Sequence, residues 1–566
     1  NKFVKVLKYT VITVFVLLVF MFSIPYLFPG FVSDKIKSWA NHAIVSKLNF
    51  SKARLSFFNH FPSLTLTLYD VSLTGSAPFE RDTLVSAKEI ALGVDLSTVF
   101  NKAVRINEIY ITRGNVQVFV SKEGQPNYNI YKTGTKTTTE TDTAASDAAL
   151  KLDRIQIEES ALLYNDRSIP ILIKANNVNY LGKGNLSDAV FNLKSEISME
   201  GLDFMYAGEQ YLTGKKLNAK LRTRINTQSL ELDFRRNDLM INKLPVALKG
   251  TFFFLKNGYR MDFLAKTPST EFENLFTALP PAFVTWLDKT DVSGKIEMGA
   301  SLKGDFIAGE NRMPDLTFNM NVRKGSFATT AVKEKITDLY MNFHFALPGL
   351  NTEKMIVKVD TLNARLGTDY VKATVETKGL NKPTIKGSLQ ASADVEKWAK
   401  ILDLSKTAGI DIKGLLQLQA TFNGTYNPAG NQYPFINAAV QWKKGILQTK
   451  YYPQPITAID ADLNILNVKG TAEAMQVKIK PISLQFEGQP FILTADIKDF
   501  NNLVYSISSK GTLNIGKLYK LFAIDGYDVN GLIKTDLSLS GSQADAVAGR
   551  YDQLNNKGTV EIRQII

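Results

Sequence analysis

Cysteine is absent from the whole 566-residue chain, and histidine occurs only three times. The first absence removes disulfides, thiolate zinc sites, iron–sulfur clusters and cysteine nucleophiles together. The second leaves metals and general bases short of ligands, since His42, His60 and His344 stand far apart with no metal-ligand spacing. A phosphate-binding loop is missing too: the nearest string, Gly208 through Gly214-Lys215-Lys216, has the wrong spacing and lacks the Ser or Thr that would hold magnesium. Neighbouring acids such as Glu158 and Glu159, or Asp525 and Asp528, read as turn residues rather than a general acid and base. Trp39, Trp286, Trp398 and Trp442 read as packing residues rather than a sugar platform. The expectation is a protein with no cofactor, no metal and no enzymatic activity.

The net charge of +13 points toward nucleic acid only until it is located. Residues 1–54 hold eight Lys or Arg against a single acid, Asp34, so more than half of the excess sits there. The remainder is too thin for the basic stripe that phosphate backbones require, and no nucleic-acid partner is expected. From Tyr9 to Ser33 no side chain is charged, and TVITVFVLLVFMFSIPYLF is long enough to cross a hydrocarbon core of about 30 Å. Lys2, Lys5 and Lys8 precede it, and positive residues stay cytoplasmic. Residues 1–30 are therefore read as an uncleaved single-pass anchor, N-terminus inside and body outside. The run is longer than the apolar region of a cleaved signal peptide. Residues 31–54 follow as an amphipathic helix, with Val32, Ile36, Trp39, Ala43 and Ile44 on one face, best read as a cap on the first strands.

Helical periodicity largely disappears after residue 55. Alternation replaces it, in Leu64, Leu66 and Leu68, in Val116, Val118 and Val120, and in Leu316, Phe318, Met320 and Val322. Period-2 alternation marks half-buried strands, and strands close in sequence without long helices between them imply antiparallel pairing. Thr133 to Ala149 has nothing with which to build a core and reads as a mobile loop.

The chain repeats itself. GKIEMGASLKG from Gly294, GLLQLQATFNG from Gly414 and GLIKTDLSLSG from Gly531 start 120 and 117 residues apart, and Gly325 and Gly445 each follow their box by 31 residues. Short helical pieces precede the boxes: FENLFTALPPAFVTWL, VEKWAKIL and IGKLYKLF. The predicted organisation is residues 55–238 as a first β region and 239–566 as repeats of about 120 residues stacked in one dimension, the last incomplete. At about 12 residues per strand and turn, the body would hold on the order of 40 strands in one long curved antiparallel sheet, mainly β with short helices between repeats. Its apolar face is either covered as a core or left open as a groove. The candidates for that face are Leu64, Leu66, Leu68, Phe318, Met320, Leu339, Met341, Phe343, Phe345, Leu416, Leu418, Phe422, Leu463, Ile465, Leu537 and Leu539.

The anchor, SFFNHFPSLTLTLYDVSLTG, TLVSAKEIALGVDLSTVF, INEIYITRGNVQVFVSKEGQPNYNIYK and LDRIQIEESALLYNDRS together resemble the AsmA-like family of envelope proteins in its Bacteroidetes style. The resemblance covers the anchor and the N-terminal region, with FNHFPSLTL and GQPNYNI its most specific segments; the repeats are similar in kind but looser. It implies an inner-membrane anchor, a periplasmic β-groove related to bridge-like lipid-transfer proteins, and phospholipid acyl chains as the ligand, with outer-membrane or envelope-complex proteins as further partners. No catalytic motif comes with it. The competing expectation, from a different class, is a structural spine of an outer-membrane biogenesis, secretion or motility complex, its groove filled by protein.

Overall fold

The computed structural model describes residues 44–56, 64–94, 104–130, 148–185, 188–255, 257–280, 284, 290–514 and 532–563, with isolated positions before residue 44. The anchor of residues 1–30, the helix predicted before residue 44, the loop of 133–149 up to residue 147 and the IGKLYKLF piece lie almost wholly outside these residues; Ala148 and Ala149, read as the end of that loop, instead open a strand paired with Val104 and Arg105. Among the described residues no helix is long and apolar enough to cross a membrane. Contacts divide the chain into two compact units, one of Asn1–Pro268, Asn274–Thr285 and Asp305–Glu310, the other of Ser269–Glu273, Trp286–Gly304 and Asn311–Ile566.

The first unit contains β1 (Leu48–Asn49), β2 (Lys52–Ser56), β3 (Leu64–Thr74), β4 (Thr83–Val94), β5 (Val104–Val120) and β6 (Ala148–Asp166). It continues with β7 (Ile171–Lys183), β8 (Val190–Tyr206), β9 (Glu209–Asn226), β10 (Glu231–Ile241), β11 (Leu244–Leu255) and β12 (Gly258–Glu271). Helix α1 (Phe272–Ala278) follows. The second unit carries β13 (Thr290–Phe306), β14 (Asp315–Thr329), β15 (Ile336–Leu347), β16 (Ile356–Leu366), β17 (Asp369–Lys378) and β18 (Thr384–Asp394). Helices α2 (Val395–Ile401) and α3 (Leu404–Thr407) lead to β19 (Ile410–Thr425), β20 (Phe435–Thr449), β21 (Tyr452–Asn467), β22 (Met475–Phe486), β23 (Gln489–Lys498) and β24 (Val504–Asn514). The last elements are β25 (Leu532–Ser542), α4 (Gln543–Val547) and β26 (Asn555–Arg563).

Within the second unit each strand pairs antiparallel with the next, from β13 to β26. The first unit corrects the expected purely antiparallel sheet. β5 and β6 run parallel, Ile109 beside Ile155 and Val116 beside Leu162. The 27 residues between them make a crossover possible, which a short hairpin turn would not. Residues 121–130 double back on β5 before the crossover: Asn127 N–H bonds to the Phe119 carbonyl at 2.9 Å.

Three further expectations change. Residues 48–49 and 52–56 are strands, not the end of a helix, because Ala53 and Leu55 alternate and pair with Leu68 and Leu66. The described residues hold 26 strands rather than about 40, several of them 15 to 19 residues long. They run on through bulges, where residues such as Lys324 (φ 49°) and Asp338 (φ 52°) break the alternation without ending the strand. The break placed at residue 238 falls inside β10, which is paired on both sides, and the unit boundary lies near residue 268.

The 120-residue repeat is a block of six strands. β17 and β18 recur at that offset as β23 and β24, and the left-handed positions recur with them: Lys324 with Lys444, Asp338 with Ala458, Asn311 with Asn431. The conserved 31-residue spacing between glycines has a steric origin. Gly294 (φ 116°) sits against Gly325 across the β13–β14 pair, where a Cβ would lie 2.6 Å from the Gly325 Cα, and Gly414 meets Gly445 in the same way at 2.9 Å.

Candidate functional site

Register fixes the faces of a sheet, because directly paired residues share a side. In the second unit a continuous row runs Met298, Met320, Phe343, Val359, Val375, Gly387, Phe422, Ile436 across eight strands. The adjacent row on the other side reads Asn319, His344, Lys358, Glu376, Lys386, Asn423. One face is therefore apolar across these strands and the other largely polar, with the exposed Phe435 opposite Asn423 an exception. The sequence-predicted residues Phe318, Met320, Leu339, Met341, Phe343, Phe345, Leu416, Leu418, Phe422, Leu463, Ile465, Leu537 and Leu539 all lie on the apolar face. None of them is fully buried. A second layer would have buried them, so this face is uncovered by the described chain.

Large apolar side chains close up toward one end of the strands, while small ones such as Ala438 and Ala495 are buried elsewhere on the same face. At the closed end Ile296 and Leu366 are 0 % exposed and Val322 1 %, and one repeat later Ile456, Ile459, Ala461 and Phe486 pack into a closed cluster. Helix α2 sits at the same end: its N-cap is Asp394, Asp369 accepts from the Asp394 N–H at 2.9 Å, and Lys397 bonds Glu334 at 2.6 Å. Trp398 belongs to this helix, and Trp442 donates its indole N–H to the Lys413 carbonyl at 2.9 Å; both pack as expected.

Leu64, Leu66 and Leu68 do not share the open face. Leu64 and Leu68 are 2 % and 4 % exposed, and Leu68 packs with Phe50, Ala53 and Val71, with Leu66 against that cluster. Thr65 and Thr67 on the opposite side are buried as well, so β3 is covered on both faces. The remainder of the first unit has its own apolar face. Aromatic rings of Phe252, Phe254, Tyr259 and Phe263 lie 5.0–6.3 Å apart on it. Burial raises the Tyr259 phenol pKa, and the Asp166 carboxylate adds to it although β6 and β12 are six strands apart. A flat sheet would separate those strands by about 29 Å, so this unit curls toward its apolar side.

Lys215 has a structural role that its sequence context does not show. It lies on the apolar face opposite Leu202, is 7 % exposed, and donates to the Thr277 and Leu279 carbonyls at 2.9 and 2.6 Å at the end of α1. Burial pulls its pKa down. His344 stands on the polar face with Nδ1 2.6 Å from Asn319 Oδ1, and Glu159 pairs with Arg113 at 3.1 Å. Among the described residues no group of acids and histidines is placed to hold a metal. Lys5 and Lys8 are exposed isolated positions, and Lys2 lies outside the described residues.

The GQPNYNI segment is structural. Asn127 is 0 % exposed; its Oδ1 accepts from the Phe119 N–H at 3.1 Å and its Nδ2 donates to the Gln117 carbonyl at 2.8 Å. Its own carbonyl accepts from Ser76 N–H at 2.8 Å. Asn127→Ala orphans two half-buried backbone groups and is expected to lower stability by about 1–2 kcal/mol, measured by thermal melting. An unchanged melting curve would show that the clip contributes nothing.

These observations define a class: a meander of long strands whose sheet has one polar face and one apolar face left open. Residues 1–232 match the model of the AsmA family, and the chain is AsmA-like over that region. The match ends inside the first unit, at β10, and the six-strand repeats lie beyond it. No curated protein and no solved structure matches the chain.

Proposed function

We propose that the chain is a lipid-binding conduit of a Gram-negative envelope, anchored in the inner membrane with its body in the periplasm, that supports phospholipid transport and outer-membrane homeostasis. The observation that carries this reading is the uncovered apolar face of the second unit, continuous by register from β13 to β20 and beyond. Apolar burial stabilises a bound acyl chain by about 0.8 kcal/mol per methylene. Rows that repeat at each strand, about 4.8 Å apart, offer nearly equal wells, so a chain slides without a large barrier while its headgroup stays in water. The AsmA-like N-terminal region is consistent with an envelope role. Direction comes from partners, and the chemistry needs neither a catalytic residue nor a cofactor.

Native mass spectrometry of the full chain, extracted without added lipid, tests the reading. Adducts with phospholipid masses are expected. Bare protein, or protein held by a stoichiometric polypeptide, favours a structural spine instead. Topology is tested separately: a reporter active only outside the cytoplasm, fused after Ser121, is expected to be active. Activity of a cytoplasm-only reporter at that site removes the periplasmic reading and the lipid function with it.

A further inference from the structure

Strand pairing in the first unit gathers into one line positive charges that are scattered along the sequence. On the polar face Lys183 of β7 stands directly opposite Lys194 of β8, and Lys194 opposite Arg222 of β9. The register carries the line on to Arg236 of β10, where a bulge sets Arg235 and Arg236 against Lys249 of β11. Arg154 of β6, paired with Lys183, begins the line, but its guanidinium turns onto the Tyr110 ring at 5.5 Å and donates to Gln156 at 2.6 Å. From β6 to β11 the line crosses six strands, about 24 Å of sheet, and no acid interrupts it.

Like charges directly opposite one another weaken a sheet. Nearby rows follow the opposite rule: Glu196, Lys220 and Asp238 alternate in sign in the next row of the same face, as Lys358, Glu376 and Lys386 do in the second unit. Lys183, Lys194, Arg222 and Lys249 are exposed, and their side chains have no ion-pair or hydrogen-bond partner among the described residues. Arg235 is held by Asp233 at 2.9 Å. At the Lys249 end a hollow of about 250 Å³ is lined by Arg235, Lys249 and Lys266 against one acid, Asp238. Repulsion left uncompensated by the fold marks a place where the counter-charge comes from outside.

The surroundings of the line select the form of that anion. The rows on either side are mixed in sign, with Glu196 and Asp238 in one and Asp233 in the other, so a broad anionic surface such as a bilayer would meet carboxylates as well as cations. The unit curls toward its apolar side, which makes this face convex and suits a flexible chain that follows it. No exposed aromatic ring stands in these rows for nucleobases to stack on. An acidic polypeptide carries its carboxylates out on side chains and spreads wider than the line, whereas a phosphate chain carries charge on the chain itself. We propose that the line binds a flexible linear polyanion with a phosphate at every link, of the polyphosphate kind, through Lys183, Lys194, Arg222 and Lys249, on the face opposite the lipid-binding one.

The test uses the full chain in phosphatidylcholine nanodiscs and a short-chain sodium polyphosphate, with binding measured by calorimetry. Saturable binding is expected, weakening roughly a hundredfold between 50 and 200 mM salt as the chain's counterions are released. Lys194→Glu, which restores alternating sign along the line, is expected to weaken binding at least tenfold and, without polyphosphate, to raise the melting temperature by about 2 °C. Lys194→Gln is expected to act in the same two directions more weakly, and serves if the first variant fails to fold. Lys220→Gln removes an equal charge from the row beside the line and is expected to change affinity less than twofold. Absence of binding by the unaltered chain, equal losses in the Lys194 and Lys220 variants, or a lower melting temperature of both Lys194 variants overturns the proposal. Equal binding of polyglutamate overturns the phosphate assignment, and tighter binding to phosphatidylglycerol vesicles than to polyphosphate shows a membrane-docking surface in its place.

Discussion

Replacing Phe486 by alanine is expected to destabilise the second unit by about 3–5 kcal/mol, because a fully enclosed aromatic side chain leaves both lost burial and a cavity. Phe486 is 2 % exposed and packs on Ile456, Ile459 and Ala461, at the end of the strands where the sheet is closed. One repeat earlier Leu366 occupies the same place and is 0 % exposed, so Leu366→Ala is expected to fall within the same range, about 2–5 kcal/mol. Phe422→Ala supplies the contrast. Its ring lies half-buried on the open face, and its loss is expected to cost only about 1–2 kcal/mol, within the range of ordinary substitutions. Denaturant unfolding of the three variants measures the differences, and hydrogen exchange shows whether the loss is confined to the strands around the substitution, as expected where units touch only their neighbours. Equal costs for Phe486 and Phe422 would mean that the distinction between a closed strand end and an open face is wrong.

Much of that distinction cannot be read from alternation. The run around Met341 and Phe343 and the run Leu64, Leu66, Leu68 have the same period, yet the first is half-exposed and the second is covered on both sides. Period 2 says which residues share a face and is silent on what lies over it. Thr65 and Thr67 look like a solvent face in the sequence, but threonine packs well when its neighbours are close, and both are buried here. Pairing direction is equally invisible: β5 and β6 alternate like the others but run parallel, which the length of their connection permits. The strand count came out too high because about 12 residues per strand and turn is too short for strands that run on through bulges for 15 to 19 residues. What was legible had a local steric cause. Gly294 and Gly325 are bound to one another by a contact that admits no Cβ, so the spacing between them is preserved in the next repeat. The role of Lys215 is not legible in the sequence, because its contact with the end of α1 depends on residues some 60 positions away.

The open face itself is tested by Phe343→Asp, which is expected to leave the protein folded and at normal abundance while disturbing outer-membrane lipid balance. Phe343 is half-buried between Met320 and Val359, and its ring lies 6.1 Å from that of Phe318. Water reaches this position, so the new carboxylate keeps part of its hydration and the stability loss is expected to be about 1–3 kcal/mol. An acyl chain crossing that row meets a charge instead of a ring. By analogy with charges on lipid-facing strands the local barrier rises by about 2 kcal/mol, which slows passage about 30-fold. His344→Asp is the control, one residue away on the polar face. It loses the hydrogen bond to Asn319 but places its carboxylate directly opposite Lys358, and neither stability nor lipid balance is expected to move far. Steady-state level and melting temperature are read beside the lipid composition of the outer membrane. Loss of the Phe343→Asp protein itself would mean that this face is packed against something, as in a structural spine. Normal abundance with normal lipid balance would mean that lipids do not use this stretch.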